Sequence, residues 1–132
     1  MTLKELSQLY YLNREIELDQ RRLEELRAKA ESPTGGLSGM PRSPRIESQL
    51  ERYVADMVDL EVIIHAKRQQ CIHERNRLER YINDIDDSLT RMIFTLRFVN
   101  GLPWMQVAEH LGLEATDAYV RNICYKYLKT TE

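Results

Sequence analysis

A chain of 132 residues with 21 acidic against 19 basic side chains carries a formal charge of -2, so it has no overall attraction for phosphates and any nucleic-acid contact must come from local charge distribution. With 42% apolar and 30% charged residues, and no apolar run near the roughly 18 residues of a membrane span, the composition fits a soluble helical chain of one domain plus an extension. The start of the chain lacks a signal peptide's apolar core, so a cytoplasmic protein is expected. The two cysteines, Cys71 and Cys124, lie far apart on apolar helical faces and predict packed thiols, not a disulfide framework or a metal site.

Residues 2–31 read as one long helix. Thr2 and Glu5 have capping-box spacing, and counting sevens from Leu9 gives Leu9, Leu12, Ile16, Asp19, Leu23, Leu26 and Ala30, an apolar seam with one polar member. Three glycines and two prolines in residues 32–42, from Ser32 to Arg42, break all periodicity and predict a connector. Ser43 is the expected cap and Pro44 the start of a second, longer helix ending near Asn83. Its row Leu50, Met57, Ile64, Cys71, Leu78 and Ile85 is wholly apolar. Tyr53 and Leu60 continue a partner row that Lys67 and Glu74 then interrupt. The expectation is an antiparallel helical hairpin over 1–85 whose unbroken row drives self-association, a dimer being the first choice. A glutamate at Ile64 or Leu78 should then shift the mass toward monomer.

From Asp86 onward three short helices are predicted. The first is capped among Asp86, Asp87 and Ser88, carries Leu89, Met92, Ile93, Leu96 and Val99 at helical spacing, and stops at Asn100-Gly101. The second runs from Pro103, placed at the first helical position, to Leu111, and buries Trp104, Val107, Ala108 and Leu111. Gly112 makes a tight turn. Thr116 caps the third helix, which packs Val120, Ile123, Tyr127 and Leu128 inward. Ala108 and Gly112 form the discriminating pair: helices crossing steeply at a short turn need a small residue at the crossing and a permissive backbone after it.

The outer face of the third helix carries Ala118, Arg121, Asn122, Tyr125 and Lys129, with Lys126 at its margin. Arginine and asparagine match guanine and adenine edges in a major groove, whereas lysine and tyrosine can hold phosphates. The bland alternative is a small bundle with a solvated polar face. Arg121, Lys126 and Lys129 lie along this helix while most acids of the segment precede it, so one copy should bind DNA weakly and depend on oligomerisation or a partner.

Nothing predicts chemistry. His65 and His73 miss the i, i+4 spacing of a helical metal pair, His110 stands alone, and no phosphate-binding glycine loop, nucleophile elbow or carboxylate dyad is visible. A non-enzyme without cofactor, metal or small-molecule substrate is expected.

The stretch FTLRFVNGLPWMQVAEHLG followed by YVRNICYKYLK resembles region four of bacterial sigma factors, in the form carried by small phage proteins similar to the RinA/ArpU late-gene activators. A related phage family has a long helical N-terminal half with a Ser-Gly-Met-Pro loop, matched here by Ser38-Gly39-Met40-Pro41. The chain departs from the pattern in two places: Pro103 stands where relatives have threonine, and the turn from Gly112 to Ala118 is longer. The resemblance implies an all-α protein, with a helical hairpin over 1–85 (loop 32–43) and a helix-turn-helix unit over 86–132, acting as a phage or prophage transcriptional regulator of late genes. Gln106, Arg121, Asn122, Tyr125, Lys126 and Lys129 are the expected DNA-binding residues. The expected partners are double-stranded DNA, a second copy of the chain and host RNA polymerase, with no membrane. Two alternatives remain: a small-terminase-like DNA-packaging protein, and an adaptor docking on RNA polymerase.

Overall fold

The structure, a computed structural model, describes residues 1–31, 44–112, 114 and 116–131. The expected connector with its Ser38-Gly39-Met40-Pro41 segment, the Ser43 cap, and Leu113 and Ala115 of the later turn lie outside the described residues. Among the described residues every regular element is helical: α1 Leu3–Leu6, α2 Gln8–Glu31, α3 Pro44–Asn83, α4 Ser88–Phe94, a π-helical segment Thr95–Val99, α5 Trp104–Leu111 and α6 Asp117–Thr131. None of these helices is long and apolar enough to cross a membrane.

The chain divides into two compact units, one of Met1–Asn13 with Gln70–Glu132 and one of Arg14–Gln69. The division cuts through α2 and α3 instead of falling at the expected 85/86 boundary. Its cause is packing: Leu6 and Leu9, then Leu78, Ile82 and Ile85, enter the same core as Ile93, Phe94, Phe98, Val107, Val120, Cys124 and Leu128. The ends of the two long helices therefore supply part of the core that the three short helices need.

In the Arg14–Gln69 unit, Ile16, Leu60 and Ile64 are buried. Asp19 and Lys67, two of the three polar members of the apolar rows, meet each other here. Lys67 Nζ donates to Asp19 Oδ2 at 2.6 Å and lies 3.2 Å from Glu15 Oε2. The Asp19 hydrogen bond, opposed by partial burial and aided by Glu15, holds the Lys67 ammonium above the usual lysine range. Leu18, Val54, Val58, Val62 and Ile63 stay exposed.

In the other unit the capping box forms as expected. Thr2 N–H donates to Glu5 Oε2 at 3.0 Å and Glu5 N–H to Thr2 Oγ1 at 3.3 Å. The bond from the Thr2 backbone, with lesser help from Arg77, holds the Glu5 carboxyl below its usual range. Helices α1 and α2 join at Ser7 within the expected span: its N–H and its hydroxyl both donate to the Leu3 carbonyl, at 3.0 and 2.8 Å, and its own carbonyl accepts from Tyr11 N–H at 3.2 Å. Across this unit Glu5 faces Arg77 at 3.6 Å and Asn13 Oδ1 accepts from Cys71 Sγ at 3.6 Å, so partner numbers fall on one helix as they rise on the other.

Helix α3 ends at Asn83, and the chain turns through residues 84–87 before α4. Ile85, 1% exposed, anchors the turn. Arg91 satisfies it, donating from Nη1 to the carbonyls of Ile85 at 2.6 Å and Asp86 at 3.1 Å, and from Nη2 to Ser88 Oγ at 2.7 Å. Asp87 is the N-cap of α4, accepting from Thr90 N–H at 3.0 Å and Thr90 Oγ1 at 2.7 Å, bonds that hold its carboxyl below the usual range. Thr90 is buried because both its polar groups find this partner.

The helix expected to run unbroken to Asn100 widens from Thr95. Asn100 N–H donates to the Thr95 carbonyl five residues back, at 3.0 Å, while Thr95 Oγ1 bonds the Arg91 carbonyl at 2.9 Å. Gly101, at φ +70°, then reverses the chain, and Leu102 N–H closes onto the Leu96 carbonyl at 3.1 Å. The buried face of this region is Thr90, Ile93, Phe94 and Phe98, whereas Met92, expected inside, is 48% exposed. Packing against the end of α3 and against α6 selects the aromatic positions over the stripe counted from Leu89.

Phe94 is the centre of this core. It stands edge-on to Phe98 and Tyr127, with ring centroids 5.3 and 5.4 Å away, and tilted against Tyr81 at 6.4 Å. Cys124 is fully enclosed, and burial pushes its thiol up to about 12. Cys71 is half-buried, with its thiol raised by the same cause. A maleimide reagent at mildly alkaline pH should therefore modify Cys71 well before Cys124, and Cys124 should react only on the timescale of unfolding. Equal labelling rates for the two thiols in the native chain would contradict this packing.

Candidate nucleic-acid interface

Helix α5 begins at Trp104, and Pro103 is its N-cap, not its first helical residue. Its backbone is extended, at ψ 152°, and its carbonyl takes the Val107 N–H at 3.0 Å, so the α conformation starts only after it. No side chain caps this end. Helix α5 packs on α6, and on α5 Val107 is fully buried and Ala108 is 5% exposed in the shared core, where a larger side chain at 108 would find little room. Gly112, at φ +68°, ends α5 in the left-handed region, with its N–H donating to the Glu109 carbonyl at 3.2 Å. Space is open around its missing Cβ, so glycine is required by the backbone conformation and not by crowding.

Thr116 caps α6 as expected, its Oγ1 accepting from Tyr119 N–H at 3.2 Å. Val120, Cys124 and Leu128 are buried, with Ile123 and Tyr127 half-buried beside them, so the inward face is fixed by five residues at helical spacing. The opposite face presents Ala118, Tyr119, Asn122, Tyr125, Lys126 and Lys129, all exposed. Arg121 differs from the expectation of a fully outward side chain, being half-buried at the edge of this face. Among the described residues none of Arg121, Lys126 and Lys129 takes part in an ion pair.

Gln106 is exposed on α5, and its carbonyl lies 2.9 Å from His110 Nδ1.

Three residues absent from the expected set join this surface. The Arg97 guanidinium lies over the Trp104 ring, 4.5 Å from its centroid, and donates to the Leu102 carbonyl at 3.0 Å. Trp104 in turn meets Tyr125 edge-on, with centroids 6.1 Å apart. Arg97, Trp104 and Tyr125 thus form a stack joining the π segment, α5 and α6. Tyr119, 52% exposed in the first turn of α6, is the other addition. Arg97 was hidden because a helical count puts it on no face with Trp104, the two being joined only after Gly101 reverses the chain. Tyr119 follows from reading α6 outward from the Thr116 cap.

A groove of about 520 Å³ is lined by Ile82, Met92, Leu96 and Leu111 together with Arg91 and His110. The histidines of the hairpin, His65 and His73, are exposed. No group of three potential metal ligands occurs among the described residues.

Comparison with known proteins gives no matching family model, no similar curated protein and no similar solved structure.

Proposed function

We propose that the chain is a DNA-binding transcriptional regulator in which α5 and α6 form a helix-turn-helix and α6 enters the major groove. A helical hairpin built from α2 and α3 precedes it and brings copies of the chain together. The observation that carries this reading is the division of α6 into two faces. One is buried through Val120, Cys124 and Leu128; the other presents Asn122, Tyr125, Lys126 and Lys129 without any intramolecular partner charge among the described residues. Gly112 in the left-handed region lets the chain leave α5 sharply, and the small, buried Ala108 suits a close approach of a neighbouring helix. Arg121 and Asn122 would read base edges, Tyr125 a base edge or sugar, and Lys126, Lys129 and Gln106 phosphates. The assignment to phage or prophage late-gene control rests on the likeness of the 94–129 stretch to sigma factor region four.

Binding to a selected phage DNA fragment across a salt series tests this. Arg121→Ala should cost about 1 to 3 kcal/mol and relax the preference at one base position. Lys129→Ala should weaken all sequences alike and lower the salt slope by about one. Neither change should alter helicity, since neither residue is buried. Unchanged affinity for Arg121→Ala at matched salt, with circular dichroism intact, would reject groove reading by this face.

A second reading, docking on RNA polymerase, is favoured by the groove and by Met105, 67% exposed on α5. A chain that binds no DNA at low salt but is retained by polymerase would select it.

A further inference from the structure

Of the row from Leu50 to Ile85, expected from the sequence to join two chains, Ile64, Leu78 and Ile85 are buried within one chain, and Leu50, Met57 and Cys71 are half-buried. Ile64 is 4% exposed and Leu78 fully buried, so neither is free for a partner. Self-association, if it uses α3, needs a different face of that helix, and one is present. Val54, Val58 and Val62 are 45%, 54% and 65% exposed, unusual for three valines at successive helical turns. At 100° per residue they lie well away from the Leu60 and Ile64 side that meets α2. Glu51 precedes them and His65 follows on the same face, both exposed, with Glu47 and Gln69 beyond them.

The spacing along this face is what identifies the occupant. From Glu51 through Val54, Val58 and Val62 to His65 the intervals are 3, 4, 4 and 3 residues, and the next steps out to Glu47 and Gln69 are 4 on each side. The pattern reads the same in both directions about Val58. A helix with such a face matches a second copy of itself run antiparallel, with a two-fold axis at Val58. Val58 then meets Val58 of the second copy, Val54 meets Val62, and Glu51 meets His65 at both ends. A parallel pairing would instead set Glu51 against Glu51 and His65 against His65. The parallel arrangement places like carboxylates together at Glu51, whereas the antiparallel one sets each Glu51 carboxylate beside an imidazole able to donate a hydrogen bond, so the antiparallel partner is favoured.

We infer that the chain dimerises through this face of α3, antiparallel and in the register that centres on Val58. The inference deepens the self-association part of the reading above and does not depend on DNA binding.

The test uses the full chain. Sedimentation should give a dimer at micromolar concentration. Val58→Glu, which sets two carboxylates against each other at the axis, should raise the dimer dissociation constant by about 100-fold with circular dichroism unchanged, because position 58 is exposed within one chain. Register is read separately in a Cys71→Ser background with a short bis-maleimide. Val58→Cys should cross-link to itself, whereas Val54→Cys and Val62→Cys should cross-link efficiently only when mixed. A monomeric native chain would reject both self-association and this face. A dimer insensitive to Val58→Glu, or one in which Val54→Cys and Val62→Cys each link to themselves, would leave self-association standing and overturn the antiparallel Val58 register.

Discussion

Phe94→Ala is expected to destabilise the unit containing α4 to α6 by about 3 to 5 kcal/mol, a large part of what a small domain has. The ring is fully buried and touches Phe98, Tyr127 and Tyr81, so truncation opens a cavity that three large aromatic neighbours cannot fill by small rotations. Urea unfolding followed by emission from Trp104, the single tryptophan, reads this unit directly. Phe94→Leu, keeping much of the volume, should lose less than Phe94→Ala. A midpoint for Phe94→Ala equal to that of the native chain would mean that the aromatic cluster does not organise this core.

Leu78→Glu should have a still larger effect and should act on a single chain. The side chain is fully enclosed in the core shared with Leu6, Ile82 and Phe94, and a carboxylate there finds no partner, so the cost is several kcal/mol added to the lost apolar burial. Loss of native Trp104 emission and of cooperative unfolding is expected, with Leu78→Met nearly neutral as the control. Val58→Glu, on the exposed face of the same helix, should leave both signals unchanged. A folded Leu78→Glu chain that merely shifts from dimer to monomer would place Leu78 in an interface instead of a core.

The contrast between these two positions shows what periodicity conveys. Counting sevens along α3 found Ile64, Leu78 and Ile85, and those are buried, because a seven-residue repeat reports which side of a helix is covered. It does not report what covers it, and the covering comes from α2 and, near Leu78 and Ile85, from the core of the short helices. The bounds of α3 were legible at Pro44 and Asn83 because proline and the polar 83–87 stretch are local signals. The division of the chain was not. It depends on Leu6 and Leu9 joining the same core as Phe94, residues with no local relation in the sequence.

The same distinction holds at the candidate interface. Thr116 as a cap, Gly112 as a left-handed residue, and the exposure of Asn122, Tyr125, Lys126 and Lys129 all follow from near neighbours in sequence. Pro103 misled, because its suitability for a first helical position is equally a suitability for the extended residue before one. The Arg97–Trp104–Tyr125 stack spans three elements, and Arg121's partial burial depends on how α6 lies against its neighbours.

The π segment has a consequence for comparing this chain with others. Thr95–Val99 holds one residue more than an α-helix would place in the same rise, as the Asn100-to-Thr95 bond shows. A chain of the same architecture with a straight helix there would be one residue shorter in the last helical turn before Asn100 and Gly101. Aligned letter by letter, its residues beyond this point would be set against the wrong neighbours, Arg97 and Phe98 exchanging an inward for an outward position. A single-residue gap opened between Thr95 and Val99 restores the correspondence on both sides, and kinship across such a pair would be visible only to a comparison that permits it.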